Sequence, residues 1–407
     1  MLDKNLFLYD LAIVAIFKDE GRYLKEWLDY HLLAGVEHFY LYNNESSDDY
    51  AEILAPYVEK NLVTLIDFPG KVMQMSAYND ALEKFRFECR YMAFIDLDEF
   101  IFPKTNQSIV EFLDEILSGI PNAAGLAINW QIFGSNGHEK ADYSRGVLER
   151  FTRRAQREYY INRLVKTIVN PRRTDCLRDP HSAIYFTTFQ AVNENGVLGK
   201  EFFNDPVNND KIVVNHYFTK SHEEYISKRN RGRSDSKKKW PEDFFDKYNS
   251  NDEFDDGILN YRAARAEKFS SESNDAKINR VETVLVNSLT QNSPVDIETL
   301  LACRALTEKF QIKIGEHSAE ENALEWIYRM LTEPMTIVES QMFLKVLPQI
   351  LVRPFPICKE ILQRTQDDVI PRLYEDLKSF DIAPSLGDAM RRSNLLYLQK
   401  FLRLIKL

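Results

Sequence analysis

The 407-residue chain is 44% hydrophobic and 28% charged, so it has the material for a large core and not the composition of a disordered protein. A net charge of −10 argues against a general nucleic-acid binder, which carries a basic footprint, but leaves room for a local basic site for an anionic small molecule. At about 100–200 residues per domain, the length suggests two or three domains.

The first hundred residues alternate strand and helix signals. Leu11–Phe17 is a continuous apolar run rich in β-branched residues, as in a strand buried on both faces, and Lys18–Arg22 breaks it. Leu24, Trp27, Leu28, His31 and Leu32 then recur at helical spacing up to Gly35. His38–Tyr42 reads as a second strand, Asn43–Asp49 as a polar turn, and Asp49–Glu59 as a helix. Leu62–Asp67 is a third strand, Met75–Phe87 a helix, and Tyr91–Ile95 a fourth strand running into Asp96. This order predicts an α/β fold: a mostly parallel sheet with helices on both faces. Such sheets bind ligands at the carboxyl ends of their strands, so Lys18–Glu20, Asn43–Asp48, Pro69–Gln74 and Asp96–Glu99 should meet on one edge.

Beyond Ile109 the pattern is mixed. Val110–Ser118 reads as a helix, while Gly125–Trp130, Thr167–Val169, Ala183–Phe186 and Ile212–Val214 read as strands. A helix follows over Ser221–Arg229, then a polar loop or linker from Gly232 to Asp256, then helix to the end. The turn-rich break near 285–295 divides a domain of residues 1–290 from a helical region of residues 291–407. Cys89, Cys176, Cys303 and Cys358 are far apart and form no CxxC pair, which fits free thiols in a reducing compartment. No apolar leader or run of ~18–20 apolar residues is visible, so a cytoplasmic protein is expected, with surface attachment to a membrane left open. Leu395, Leu398, Phe401, Leu402 and Ile405 share one face of a basic helix; docking on the protein itself or on a second subunit of a homodimer is favoured over an anionic membrane surface.

The chemistry centres on Asp96-Leu-Asp98. If the chain stays extended beyond the strand, the two carboxylates point the same way. Hard oxygen ligands of this kind suit Mn²⁺ or Mg²⁺, ions that bridge diphosphate oxygens. The stretch Lys220–Lys239 is locally basic, with Lys220, Arg229 and Arg233 among side chains suited to phosphate, and reads as a mobile cover over a diphosphate or as a solvated face. Trp130 and Phe133 offer rings for a sugar face or for ordinary core packing. Arg163 and Lys166 are candidate phosphate or acceptor contacts.

Ala15–Glu20, Trp27–His31, Gly35–Asn44 and Phe94–Ile101, followed by Trp130–Gly137 and Asn215–Ser221, resemble the family 2-like and family 92-like glycosyltransferases of GT-A type over residues 11–235. The resemblance implies a metal-dependent transfer from a nucleotide-sugar donor, a uridine diphosphate sugar first, to a glycan or lipid-linked glycan acceptor, with inversion expected. It assigns Asp96 and Asp98 to the metal, with Leu97 between them beside the donor, and His216 as a late metal ligand. It puts Phe17, Lys18, Asp19 and Glu20 at the base and ribose, and Asn43, Asn44, Asp48, Gln74 and Asn79 along the donor. For a base on the acceptor hydroxyl, Asp179 is the first candidate and Glu139 the second, with His181 at the acceptor or diphosphate. Two other readings compete: a sugar nucleotidyltransferase, for which Lys18–Arg22 is a poor substitute for a Gly-rich loop, and a non-catalytic glycan-binding protein on the same fold.

Overall fold

The computed structural model describes residues 4–319 except 187, 199–202, 238–239, 242, 269–271 and 291–295, together with single positions between 322 and 345. The basic amphipathic stretch near the C-terminus and Cys358 lie outside the described residues. The chain forms two compact units, one of Tyr9–Tyr185 with Phe189–Asn274 and one of residues 1–8, 186–188 and 275–407.

In the larger unit, β1 (Tyr9–Phe17) is buried from Leu11 onward, as its unbroken apolar run requires. The helix α1 (Gly21–Leu33) buries Leu24, Trp27, Leu28 and His31, and Gly35, at φ +100°, turns the chain away. The strand β2 (His38–Asn43), helix α2 (Tyr50–Glu59), strand β3 (Val63–Asp67), helix α3 (Gln74–Phe85) and strand β4 (Cys89–Phe94) complete the expected alternation. Strands β3, β2, β1 and β4 lie side by side, all parallel. Phe17 stands level with Asn43, and Asn43 with Asp67, so the strand ends share one edge.

The second half extends the sheet beyond β4 with strands of mixed direction. They are β5 (Glu99–Pro103), then after α4 (Ile109–Leu117) the long β6 (Ala123–Ile132), and beyond α5 (Val147–Arg150) and β7 (Arg153–Arg154) the strand β8 (Val165–Val169). After β9 (Thr174–Leu177), β10 (Ala183–Tyr185) and β11 (Gln190–Val192) comes β12 (Ile212–His216). The main sheet runs β3-β2-β1-β4-β8-β6-β12-β5, with β11 beside β6. β8 runs antiparallel to β4 with Ala93 opposite Ile168, a register that carries Lys166 to the position of Ile95, next to Asp96 and just past the end of β4. β12 runs antiparallel to β5 with His216 opposite Glu99. The core backs this arrangement: Trp27 Nε1 donates to the Glu99 carbonyl at 2.8 Å, and Tyr30 Oη to the Ile101 carbonyl at 2.8 Å.

Glu99–Pro103 is a strand the sequence pattern does not call for. Its presence changes the acidic segment: Glu99 N–H donates to the Asp96 carbonyl at 3.0 Å, so Asp96–Glu99 is a turn between β4 and β5 and not extended chain. The expectation that Asp96 and Asp98 point the same way as alternate residues of a strand is therefore corrected.

The unit ends with α6 (His222–Arg231), α7 (Phe244–Tyr248), β13 (Glu253–Phe254) and α8 (Gly257–Ala266). α6 starts with a reciprocal cap between Ser221 and Glu224, and Gly232, at φ +95°, ends it. Glu224 is buried and takes both Arg150 guanidinium nitrogens, at 2.8 and 3.0 Å, and Tyr23 Oη at 2.9 Å. Burial pushes its carboxyl up, but Arg150, Ser221 and Lys220 outweigh burial and hold it at about 2. The stabilisation is present above the ordinary glutamate range and is lost as pH falls from about 4.5 toward 2. Glu224→Gln should cost about 3–5 kcal/mol near neutral pH, as expected for breaking a buried pair, and should flatten the acid limb of a melting-temperature-against-pH curve. A variant as acid-sensitive as the parent would contradict this assignment.

In the smaller unit, α9 (Asn274–Thr290) lies mostly within the unit, and Arg280 donates to the carbonyls of Asn5 and Phe7, each at 3.0 Å. The helix α10 (Ile297–Phe310) is capped by Asp296, whose Oδ1 accepts from Thr299 N–H at 2.9 Å. No helix among the described residues is long and apolar enough to cross a membrane.

Candidate active site

A cleft of about 360 Å³ opens at the carboxyl edge of the parallel strands. Ile16, Phe17, Lys18, Glu20 and Asn44 line it from β1 and β2, Gln74 from the start of α3, and Asp96, Leu97 and Asp98 from the turn after β4. Trp130, Lys166, His181 and His216 close it from the mixed half of the sheet. The strand-end rule thus brings together what it predicted.

Each acid has its own ammonium. Asp96 Oδ2 accepts from Lys166 Nζ at 2.9 Å, and Oδ1 accepts from Gln74 Nε2 at 2.8 Å and Tyr78 Oη at 3.2 Å. Asp98 is buried; its Oδ2 accepts from Lys228 Nζ at 2.5 Å, and its Oδ1 stands 3.5 Å from His216 Nε2. Burial pushes the Asp98 carboxyl up, but Lys228, His216 and Lys220 outweigh it and hold it well below the carboxylate range. Burial likewise works against the Lys166 ammonium, yet Asp96 and Glu99 keep it well above the usual range.

Glu99 is fully buried, with Oε2 accepting from Asp96 N–H at 2.9 Å and lying 3.3 Å from Lys166 Nζ. Burial, against the pull of Lys166, pushes its acid up to about 8, so at neutral pH it is mainly protonated. The carboxylates of Asp96 and Asp98 thus stand among the amino groups of Lys166, Lys220 and Lys228, side chains of the kind that hold a polyanion.

Several expected side chains serve the frame instead. Asp48 Oδ2 accepts from Gly21 N–H at 2.7 Å and fixes the start of α1. Asn43 bonds Tyr50 and Asp67, and Asp19 takes the Ser47 N–H at 2.7 Å. Asn79 bridges α3 to Leu177 on β9. Phe133 is buried against Tyr217. None of these five lines the cleft. Asp179 spends Oδ1 on the N–H groups of His181 and Ser182, at 2.7 and 2.8 Å, and Oδ2 on Ser182 Oγ, so it holds the turn that carries His181. Glu139 is exposed, pairs with His222 at 3.6 Å, and does not reach the cleft. Arg163 is half-exposed and pairs with Asp205 at 3.4 Å.

The basic stretch is not a free cover. Lys220 is buried behind Asp98 with its ammonium 4.5 Å from the Tyr23 ring centre. Arg229 Nε donates to the Trp240 carbonyl at 3.2 Å, outside the cleft. Arg231 binds Glu20 at 2.9 Å, Arg233 binds Asp235 and stacks 3.9 Å over Trp240, and Ser234 accepts from Gln74 N–H at 3.1 Å. This strip forms one wall of the cleft. Phe218, Trp240, Phe244 and Tyr248 add an aromatic wall in contact with it. Lys228 belongs to the basic stretch expected near a diphosphate, whereas the aromatics lie in or before a polar stretch that reads as linker. The spacing of 240, 244 and 248 was the available signal, since residues four apart share a helix face.

Asp98 Oδ1 and His216 Nε2 are separated by the distance expected of two ligands on one ion, since bonds of about 2.0–2.2 Å place neighbouring ligands roughly 3.0–3.6 Å apart. Among the described residues no group of three His, Cys, Asp or Glu side chains is set to hold a metal alone. The pair therefore fits an ion whose remaining ligands come from a bound molecule, as is usual where phosphates complete the shell.

Fold and cleft together define an α/β protein whose acids stand at the carboxyl edge of a largely parallel sheet. Comparison with known proteins agrees with the resemblance read from the sequence: residues 15–183 match the model of glycosyltransferase family 92. A glycosyltransferase family 92 protein of Ricinus communis is 26% identical over 130 residues, 32% of this chain and 24% of that protein. The galactan β-1,4-galactosyltransferase GALS2 of Arabidopsis thaliana is 33% identical over 96 residues, 21% of this chain and 18% of that protein. The crystal structure of S. aureus TarS 1–349 is 16% identical, with 82% of this chain and 91% of that one covered, at a TM-score of 0.32. The matches thus span about a quarter or less of the curated relatives' length.

Proposed function

We propose that the chain transfers a sugar from a nucleoside-diphosphate donor to a carbohydrate acceptor hydroxyl. The family match over residues 15–183 supports glycosyl transfer, and one observation carries the site: Asp96 and Asp98 stand in a single cleft at the sheet edge, each held by its own lysine. Phe17, Lys18, Glu20 and Asn44 line the end of the cleft where α/β sheets take nucleotides. The basic side chains of Lys166, Lys220 and Lys228 around the two acids suit a diphosphate. Trp130 and the Trp240, Phe244 and Tyr248 wall offer apolar ring faces of the kind that pack on sugars.

Asp98 and His216 would hold Mn²⁺ or Mg²⁺, whose charge would stabilise the departing diphosphate. The residues of the chain do the rest. Lys166 orients Asp96, Lys228 orients Asp98 and holds its carboxyl well below the usual range, and Gln74 fixes the second Asp96 oxygen.

The test is acceptor-dependent release of nucleoside diphosphate from a panel of sugar nucleotides with Mn²⁺, headed by UDP-galactose because a relative is a galactosyltransferase. One donor should turn over, and at about 100 times its Kd it should stabilise the fold by about 2.7 kcal/mol. If no member of the panel is turned over or raises the melting temperature, the reading fails.

A further inference from the structure

A hydroxyl attacking an anomeric carbon must lose its proton, and a base must stand in the cleft with a free lone pair. The carboxylates that line the cleft are all engaged with cations. Glu20 faces Arg231 at 2.9 Å, Asp96 faces Lys166 at 2.9 Å, Asp98 faces Lys228 at 2.5 Å, and Asp235 faces Arg233 at 2.5 Å. His216 is turned toward Asp98 and Glu99. His181 differs. Its Nδ1 lies 2.9 Å from the Val165 carbonyl, which can only accept, so the proton of a neutral ring sits on Nδ1 and Nε2 carries the lone pair. Nε2 has no hydrogen-bond partner among the described residues, and the side chain lines the cleft.

The ring is held on every side. Asp179 fixes the backbone N–H groups of His181 and Ser182, the His181 backbone carbonyl accepts from Thr167 Oγ1 at 2.8 Å, and the Trp130 ring packs against the imidazole at 5.0 Å between centroids.

Resting on the glycosyl-transfer reading, we propose that His181 is the catalytic base. Nε2 takes the acceptor hydroxyl proton as that oxygen bonds to the anomeric carbon. The bond from that carbon to the diphosphate oxygen breaks, and the leaving diphosphate keeps the electron pair. Asp179 is a positioning residue that sets the turn. Burial and the nearby Lys166, against the opposing pull of Asp179 and Asp96, push the resting imidazole down to about 4 and so keep the lone pair available. Asp235 is the other charged group that feels this ring.

The experiment compares the full-length chain with His181→Asn, which keeps a donor to the Val165 carbonyl but has no Nε2, and with His181→Ala. With the active donor and acceptor, kcat should fall about 10²–10⁴-fold in both while the donor KM stays within about threefold. Added imidazole should restore part of the rate to His181→Ala. Variants whose kcat stays within about tenfold of the parent, or a loss that appears in donor KM and resists imidazole, would overturn the base assignment alone. A parent chain that turns over no donor overturns the transfer reading and this role with it.

Discussion

Asp98→Asn should lower acceptor-dependent nucleotide release by about 10²–10³-fold, the cost of removing one preorganised electrostatic element from an active site. The carboxylate is buried between Lys228, Lys220 and His216, so its loss leaves ammonium charge in a desolvated place with no counter-ion. Stability should fall by about 3–5 kcal/mol, as for a broken buried pair. The double variant Asp98→Asn with Lys228→Met separates the effects. It should recover most of the stability in urea denaturation and none of the turnover, because the charge imbalance is relieved while the site stays incomplete. A single variant that keeps its rate within about tenfold removes Asp98 from the mechanism.

The second large effect belongs to Lys166. Its ammonium lies 2.9 Å from Asp96 and 3.3 Å from Glu99 and is almost wholly buried. Lys166→Met keeps the apolar stem but leaves Asp96 unbalanced, and the chain should lose about 3–5 kcal/mol. The donor should bind less well too, since the cleft would lose an ammonium beside Asp96 that suits a diphosphate. Glu99 offers the control: because its acid is already pushed up to about 8, Glu99→Gln alone should be mild near neutral pH. A Lys166→Met chain that melts with the parent and binds donor equally well would show that the ammonium is dispensable.

The first four strands were legible because a strand buried on both faces is a short apolar run, and α1 and α3 show helical periodicity between them. The edge where Phe17, Asn44, Gln74 and Asp96 meet followed from that order alone. β5 was not legible. Glu99–Pro103 follows the acidic turn without a break, and its partner β12 lies over a hundred residues downstream, beyond any local signal. That omission explains the wrong geometry expected for Asp96 and Asp98. The roles of Lys166 and Asp179 were hidden for a related reason. Which charge answers which is decided by antiparallel register and by a local turn, as with Lys166 opposite the end of β4 and Asp179 under His181. Asp48, expected along the donor, braces the start of α1, twenty-seven residues earlier.

One continuous stretch, 228–248, supplies the lysine on Asp98, the Arg231 tie to Glu20 and the aromatic wall. Under the proposed function, one segment steadies the acids at the donor and offers ring faces to a sugar, so a substitution that alters acceptor choice there would disturb donor handling as well.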